Sequence, residues 1–193
     1  MAARLTHGRG FTLVELLVVI AIISIIAGLI LPGAAYVIDR ARIAYCSHNL
    51  RQIYTFALSY AEEEGRGFFP IAPGPEPRAH ESLNVLLAYA PEGLEPQLFV
   101  CPASGAEEAG RDADGRFALG EETCTYSWTA RRLKNTAFAK PLASDKYVRG
   151  YEDASGTREG HRGVNILRTD GSIHFVGESK LPRDTLLPTG LTR

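Results

Sequence analysis

The chain has 193 residues, 45% hydrophobic and 22% charged, which suffices for one apolar anchoring helix and one small globular core. Its net charge of -1, with histidine neutral, excludes a long-range field that would draw it to nucleic acid or to an anionic membrane surface. Three cysteines, Cys46, Cys101 and Cys124, are too few for a thiol-rich zinc site and permit at most one internal bridge.

The first residues, MAARLTHGRG, form a short basic leader with Arg4 and Arg9 that stops at Gly10. From Phe11 to Leu31 the chain reads FTLVELLVVIAIISIIAGLIL, which at about 1.5 Å per helical residue crosses a hydrocarbon core of about 30 Å. In lipid only a helix satisfies every backbone group of such a segment, so its many Val and Ile residues do not prevent one. Glu15 interrupts the run. An ionised carboxylate costs about 2.5–3.5 kcal/mol at the membrane centre and less near an interface, so Glu15 needs a partner. Cleavage after Gly10 would give Phe11 a free α-amine, a cation at the depth of such a carboxylate. A plain signal anchor, or a secretory signal peptide cut near Gly33-Ala34-Ala35, leaves the glutamate unexplained. Loop charge does not fix orientation, because Arg4 and Arg9 are matched by Arg40 and Arg42 beyond the span.

Gly10-Phe11-Thr12-Leu13-Val14-Glu15 resembles the type IV prepilin signal, shared by type IV pilins and type II secretion pseudopilins. The resemblance implies that prepilin peptidase cleaves between Gly10 and Phe11 and methylates the Phe11 amine. It also implies that Glu15 pairs with the amine of a neighbouring subunit, and that Pro32 kinks the helix. The expected location follows from it: a single-pass protein of the bacterial inner membrane, N-terminus cytoplasmic and globular part periplasmic. Its expected partners are other pilin-like subunits, an inner-membrane assembly platform and an ATPase, with no nucleic acid.

Beyond Pro32 the apolar pattern becomes periodic. Ile43, Cys46, Leu50, Ile53, Ala57 and Tyr60 recur at intervals of three and four, one face of an amphipathic helix. The pattern predicts one helix from Phe11 to Glu64 with Gly65 as its αL cap. Residues 65–80 are rich in Gly and Pro and read as an irregular connection. Ser82 is placed to cap a short helix running to Tyr89. Leu98-Phe99-Val100 reads as a short buried strand, residues 103–122 as a charged surface loop, and Thr125–Thr129 as an alternating strand. Val164–Leu167 and Ile173–Val176 flank Asp170-Gly171, which predicts a β-hairpin closed by that pair. The chain after Gly177 reads as loosely held.

The segment His161-Arg162-Gly163-Val164-Asn165-Ile166-Leu167, followed by Asp170-Gly171, is similar to the C-terminal His…Asp-Gly element of a large group of bacterial pilin-like proteins. The interval is one residue shorter here than is usual there. Cys101-Pro102 matches a mid-domain Cys-Pro of the same group.

Cys101 and Cys124 flank the mid-domain loop, and in an oxidising compartment a bridge between them would close it; Cys46 lies on the apolar helix face, its pairing left open. Asp112 and Asp114, in Asp-Ala-Asp-Gly, form a weak calcium candidate, since hard cations favour several carboxylates about a tight turn; the spacing does not fit the helix-flanked calcium loop. His161, Asp170 and His174 have no nucleophile in a recognisable motif beside them, so neither catalysis nor another cofactor is expected. Trp128, Tyr126 and Phe99 read as core.

The expected organisation is a leader (1–10), a transmembrane and assembly helix (11–31), its amphipathic continuation (32–64) and a periplasmic α+β domain (65–193) with a small antiparallel sheet. The expected role is a non-enzymatic filament subunit. The competing role is a membrane-anchored periplasmic binding protein that uses the prepilin signal without polymerising.

Overall fold

The computed structural model describes residues 11–90, 92–145, 163–177 and 191–192, with the side chains of 30–35 and 191–192 outside the description. The chain divides into two compact units, Met1–Ile38 and Asp39–Arg193. Helix α1, Leu13–Glu63, contributes its first part to one and its remainder to the other. It includes Pro32, whose side chain is among those not described.

In the first unit every described side chain from Phe11 to Leu29 is exposed, and apolar residues cover all faces of the helix. A helix apolar all round has no water-facing side and calls for lipid or other helices. Among the described residues no helix is long and apolar enough to cross a membrane. The last two apolar positions of the stretch, Ile30 and Leu31, have undescribed side chains.

The second unit is an α+β fold. Its sheet has the order β4-β3-β2-β1-β5 and is antiparallel throughout. The strands are β1 (Tyr126–Thr129), β2 (Pro141–Asp145), β3 (Gly163–Arg168), β4 (Ile173–Gly177) and β5 (Leu191–Thr192). The first four form a meander, and β5 returns to the far side of β1. The expectation that the chain after Gly177 is loosely held is therefore corrected at Leu191–Thr192, which pair with Trp128 and Thr129.

The apolar stripe of α1 packs on this sheet as its period dictates. Cys46, Leu50, Ile53 and Ala57 are buried, with Asn49 and Ala61 beside them, while Ile43 and Tyr60 are half-buried. Helix α2 (Ala79–Tyr89) adds Leu83, Leu86 and Leu87 to the core, and Trp128 at its centre donates its indole N–H to Pro70 O at 2.7 Å.

Three local expectations change. Helix α2 begins after Arg78, whose N–H donates to the Glu81 carboxylate at 2.9 Å; Ser82 lies inside it and accepts from Ala72 N–H at 3.1 Å. Residues Pro96–Phe99 form a 3₁₀ turn rather than a strand, as a proline in the first helical turn favours. The left-handed residues that end α1 are Arg66 (φ 51°) and Gly67 (φ 81°), not Gly65. Gly65 serves close approach instead: a Cβ there would lie 2.2 Å from Phe68 O.

The hairpin forms, but its turn is longer than Asp170-Gly171. Leu167 pairs with Ile173, Arg168 N–H donates to Ser172 O at 2.9 Å, and Gly171 N–H donates to Arg168 O at 3.0 Å. Gly171 alone among the turn residues has positive φ, +78°, giving a three-residue loop with a left-handed last residue. Asp170 Oδ1 accepts from the Ser172 hydroxyl at 2.6 Å and its N–H at 3.0 Å, which holds the carboxyl below its ordinary range. A Cβ on Gly171 would also lie 2.8 Å from the Tyr54 ring, whose hydroxyl donates to Thr169 O at 3.1 Å. Gly171→Ala is expected to lower stability by about 1–3 kcal/mol in urea unfolding. An unchanged midpoint would show that the turn relaxes without cost.

Between α1 and α2, Tyr89 donates to the Glu63 carboxylate at 2.6 Å. This bond, aided by partial desolvation, pushes the phenol up to about 12. A pKa raised on folding stabilises below the unfolded value of about 10 and ceases to as pH rises through the folded one. Glu63→Gln is therefore expected to bring one phenolate absorbance transition down from about 12 toward 10. If no transition moves, Tyr89 does not sense Glu63.

Candidate functional site

The N-terminal turn of α1 is built by Thr12 and Glu15. Thr12 precedes the first helical residue, and its carbonyl accepts the first helical bond, from Leu16 N–H at 3.3 Å. Thr12 Oγ1 accepts from Glu15 N–H at 3.2 Å, and Thr12 N–H donates back to Glu15 Oε2 at 2.9 Å. The Thr12 hydroxyl donates to the same oxygen at 2.8 Å. This is a reciprocal capping box, in which two otherwise unsatisfied N–H groups of the first turn find side-chain acceptors.

Part of the need for a partner at Glu15 is thus met within its own chain. A carboxylate in the first turn also opposes the positive end of the helix dipole. The T-x-x-E spacing of Thr12 and Glu15 was visible in the sequence, and reading Glu15 only for an intermolecular role passes over it. All three bonds to Thr12 leave Glu15 Oε1 uninvolved. Phe11, one residue ahead of the cap, is 74% exposed. Gly10 lies outside the described residues.

The remaining candidates divide. The disulfide joins Cys46 to Cys101, with Cα atoms 5.6 Å apart, and the expected bridge between Cys101 and Cys124 is not formed. Cys46 sits on the buried stripe of α1, and the residues after the 3₁₀ turn bring Cys101 against it. Cys124 is a buried thiol outside the bridge, its Sγ 3.4 Å from Tyr126 O. Among the described residues no group of three or more His, Cys, Asp or Glu is placed to hold a metal ion. Asp112 Oδ1 accepts from the N–H groups of Asp114 and Arg116 at 3.0 and 2.8 Å, closing its own turn.

His161 lies outside the described residues. His174 is exposed on the edge strand β4, and Asp170 is engaged with Ser172. Trp128, Tyr126 and Phe99 are fully buried, and burial pushes the Tyr126 phenol up.

Sequence reasoning missed the pair beneath α1. Asp145, fully buried, accepts from Asn165 N–H at 2.6 Å and from its side-chain amide at 2.7 Å, and the same amide donates to Ile43 O at 3.2 Å. A buried polar side chain is retained in a core when its lone pairs are met in this way. Nothing in the spacing of Asp145 and Asn165 signals the pair before strands β2 and β3 are known to be neighbours.

No solved structure matches the chain. It is 38% identical over 60 residues to the Type IV major pilin protein PilA of Myxococcus xanthus, a match spanning 31% of this chain and 27% of that protein. Residues 6–31 match the family described as the prokaryotic N-terminal methylation motif. Residues 6–31, which include Gly10, Phe11, the Thr12–Glu15 cap and the apolar stretch, thus carry a prepilin-type N-terminal methylation motif on a chain similar in part to a type IV pilin.

Proposed function

We propose that the chain is a pilin-like structural subunit, cut by prepilin peptidase between Gly10 and Phe11, methylated at Phe11, and assembled into a periplasmic filament of a type II secretion or type IV pilus-like system. The observation that carries this reading is the Thr12–Glu15 cap directly after the cut site, at the head of a helix whose side chains are exposed and apolar on every face. Such a helix finds its partners in lipid before assembly and in sister helices after it. Oε2 remains bound to Thr12 while Oε1 faces the cationic amine of an adjacent subunit. In a bundle that excludes water, leaving either charge alone costs several kcal/mol, so the pair sets the position of each added subunit. The platform and ATPase are supplied by other proteins.

The test is mass spectrometry of the native chain together with electron microscopy of sheared filaments. A mature N-terminus at a methylated Phe11, in filaments that contain this chain, is the expected result. Retention of residues 1–10, or loss of the whole apolar stretch, overturns it. A processed chain absent from filaments would instead favour the membrane-anchored periplasmic binding protein that does not polymerise.

A further inference from the structure

The globular unit carries two segments of opposite charge on different elements. The β1–β2 connection, residues 131–140, contains Arg131, Arg132, Lys134 and Lys140, all exposed, and no carboxylate. Residues 103–124 contain six acidic residues and two arginines. Among the described residues the ion pairs are Arg78–Glu121 and Arg111–Glu95, and the four cations of the β1–β2 connection take part in neither.

The cationic connection is held in shape. Phe69 N–H donates to Leu133 O and Asn135 N–H to Gly67 O, while Arg132 lies 4.1 Å and Lys134 5.5 Å from the Phe68 ring centre. Thr169 fastens the other end, donating its N–H to Lys140 O at 2.9 Å and its hydroxyl to Ala137 O at 3.2 Å. Between these anchors stands Phe138, 91% exposed, the most exposed large apolar side chain among the described residues. An exposed aromatic on a tethered connection that also carries four cations has the make-up of a binding anchor, with part of its ordering entropy already lost.

The acidic segment carries a matching recess. A cavity of about 500 Å³, lined by Asn84, Leu87, Ala88, Arg116, Phe117 and Ala118, lies between α2 and residues 116–118. Its walls are tied together by Asn84, which accepts from Leu119 N–H at 2.8 Å and donates to Leu119 O at 2.9 Å. Glu121 and Glu122 follow within four residues of Ala118. Arg116 is the one cation in the lining, and Arg111 is already committed to Glu95 and the Phe117 ring.

We infer that neighbouring copies of this chain join through a head-to-tail contact: Phe138 of one enters the recess between α2 and residues 116–118 of the next. Arg131, Arg132 and Lys134 then face Glu122 and Glu121, the latter exchanging its exposed pairing with Arg78 for an incoming cation, and Arg116 stacks on the incoming ring. The two surfaces differ, so the contact does not close on itself and repeats along an open array. The inference names the globular contact within the filament proposed above and rests on that reading for its context. A near-neutral chain with a strongly acidic segment disfavours nucleic acid as the occupant of the cationic surface, and a second copy offers the complementary charge.

The test uses two differently tagged full-length chains co-expressed in the host with the assembly machinery, one Thr136→Cys, which keeps Phe138 and is exposed two residues from it, and the other Ala118→Cys, treated with a short bis-maleimide. A covalent dimer carrying both tags is expected only when the two variants are together. Reversing Arg131, Arg132 and Lys134 to Glu should reduce it about tenfold, and adding Glu121→Lys and Glu122→Lys in the partner should restore it. No mixed dimer, or one indifferent to the charge reversal, overturns the inference, as does protection of the Thr136→Cys thiol by added single-stranded DNA. Filaments without the mixed dimer would sink this contact and leave the filament reading standing. An uncut leader would sink the filament reading, and the cross-link would still decide the contact.

Discussion

Glu15→Ala is expected to leave the chain in the membrane and to remove it from filaments. On the proposed reading membrane retention would depend on the apolar run, and replacing a carboxylate by a methyl group makes that run more apolar. On the same reading, assembly would lose the anion that meets the neighbour's Phe11 amine, and an uncompensated buried charge costs about 3–5 kcal/mol. That corresponds to a hundredfold or greater loss in subunit addition, roughly, at 1.4 kcal/mol per factor of ten. Glu15→Leu should behave alike. Thr12→Ala separates the cap from the pairing: it removes the hydroxyl that binds Oε2 and the acceptor for Glu15 N–H, and leaves the carboxylate in place. Loss of such a cap costs about 1 kcal/mol, so its filament yield should fall far less. Immunoblots of membrane and sheared-filament fractions measure both. Normal incorporation of Glu15→Ala and Glu15→Leu would remove the charge pair from the assembly mechanism.

The parts of the fold that periodicity governs were legible in the sequence. The stripe from Cys46 to Ala57 is buried because a recurrence of three and four places it on one face of a helix, whatever that face meets. The hairpin at 163–177 follows equally from two β-rich runs about a glycine, though three turn residues are used where two were expected. Strand β2 was not legible: Pro141-Leu142-Ala143-Ser144-Asp145 contains no β-branched or aromatic residue. It is a strand because its neighbours complete it. Ser144 lies 2.7 Å, hydroxyl to hydroxyl, from Ser127, and Asp145 accepts from the backbone N–H and the side-chain amide of Asn165. Placement against neighbours overrides weak intrinsic preference. Leu98–Val100 fails the other way, since three apolar residues do not distinguish a strand from a helical turn, and Pro96 decides it. At the candidate site Glu15 was legible as an anomaly, whereas its bonds to Thr12 required attention to caps as well as to hydropathy.

Cys101→Ser is expected to lower the stability of the globular unit by about 4 kcal/mol, and Cys46→Ser by a similar amount. The bridge joins residues 55 apart in sequence, and closing a loop of that length removes about 4 kcal/mol of chain entropy from the unfolded state. For a unit of this size the thermal midpoint should fall by roughly 8–16 °C. Cys124→Ala deletes only a sulfur from the core and should cost about 1 kcal/mol. The pairing has a physical logic that order along the chain hides. Cys101 and Cys124 bracket one loop, but Thr125, next to Cys124, already fixes that bracket through its hydroxyl, which accepts from Cys101 N–H at 2.6 Å, and its N–H, which donates to Phe99 O at 3.0 Å. Cys46 instead links two elements far apart in sequence, α1 and the segment after the 3₁₀ turn, where a covalent tie constrains the unfolded chain most. Peptide mapping without reduction should recover the Cys46 and Cys101 peptides linked and the Cys124 peptide alkylated after denaturation. A Cys101–Cys124 peptide, or an equal loss of stability in Cys124→Ala and Cys46→Ser, would reverse the assignment.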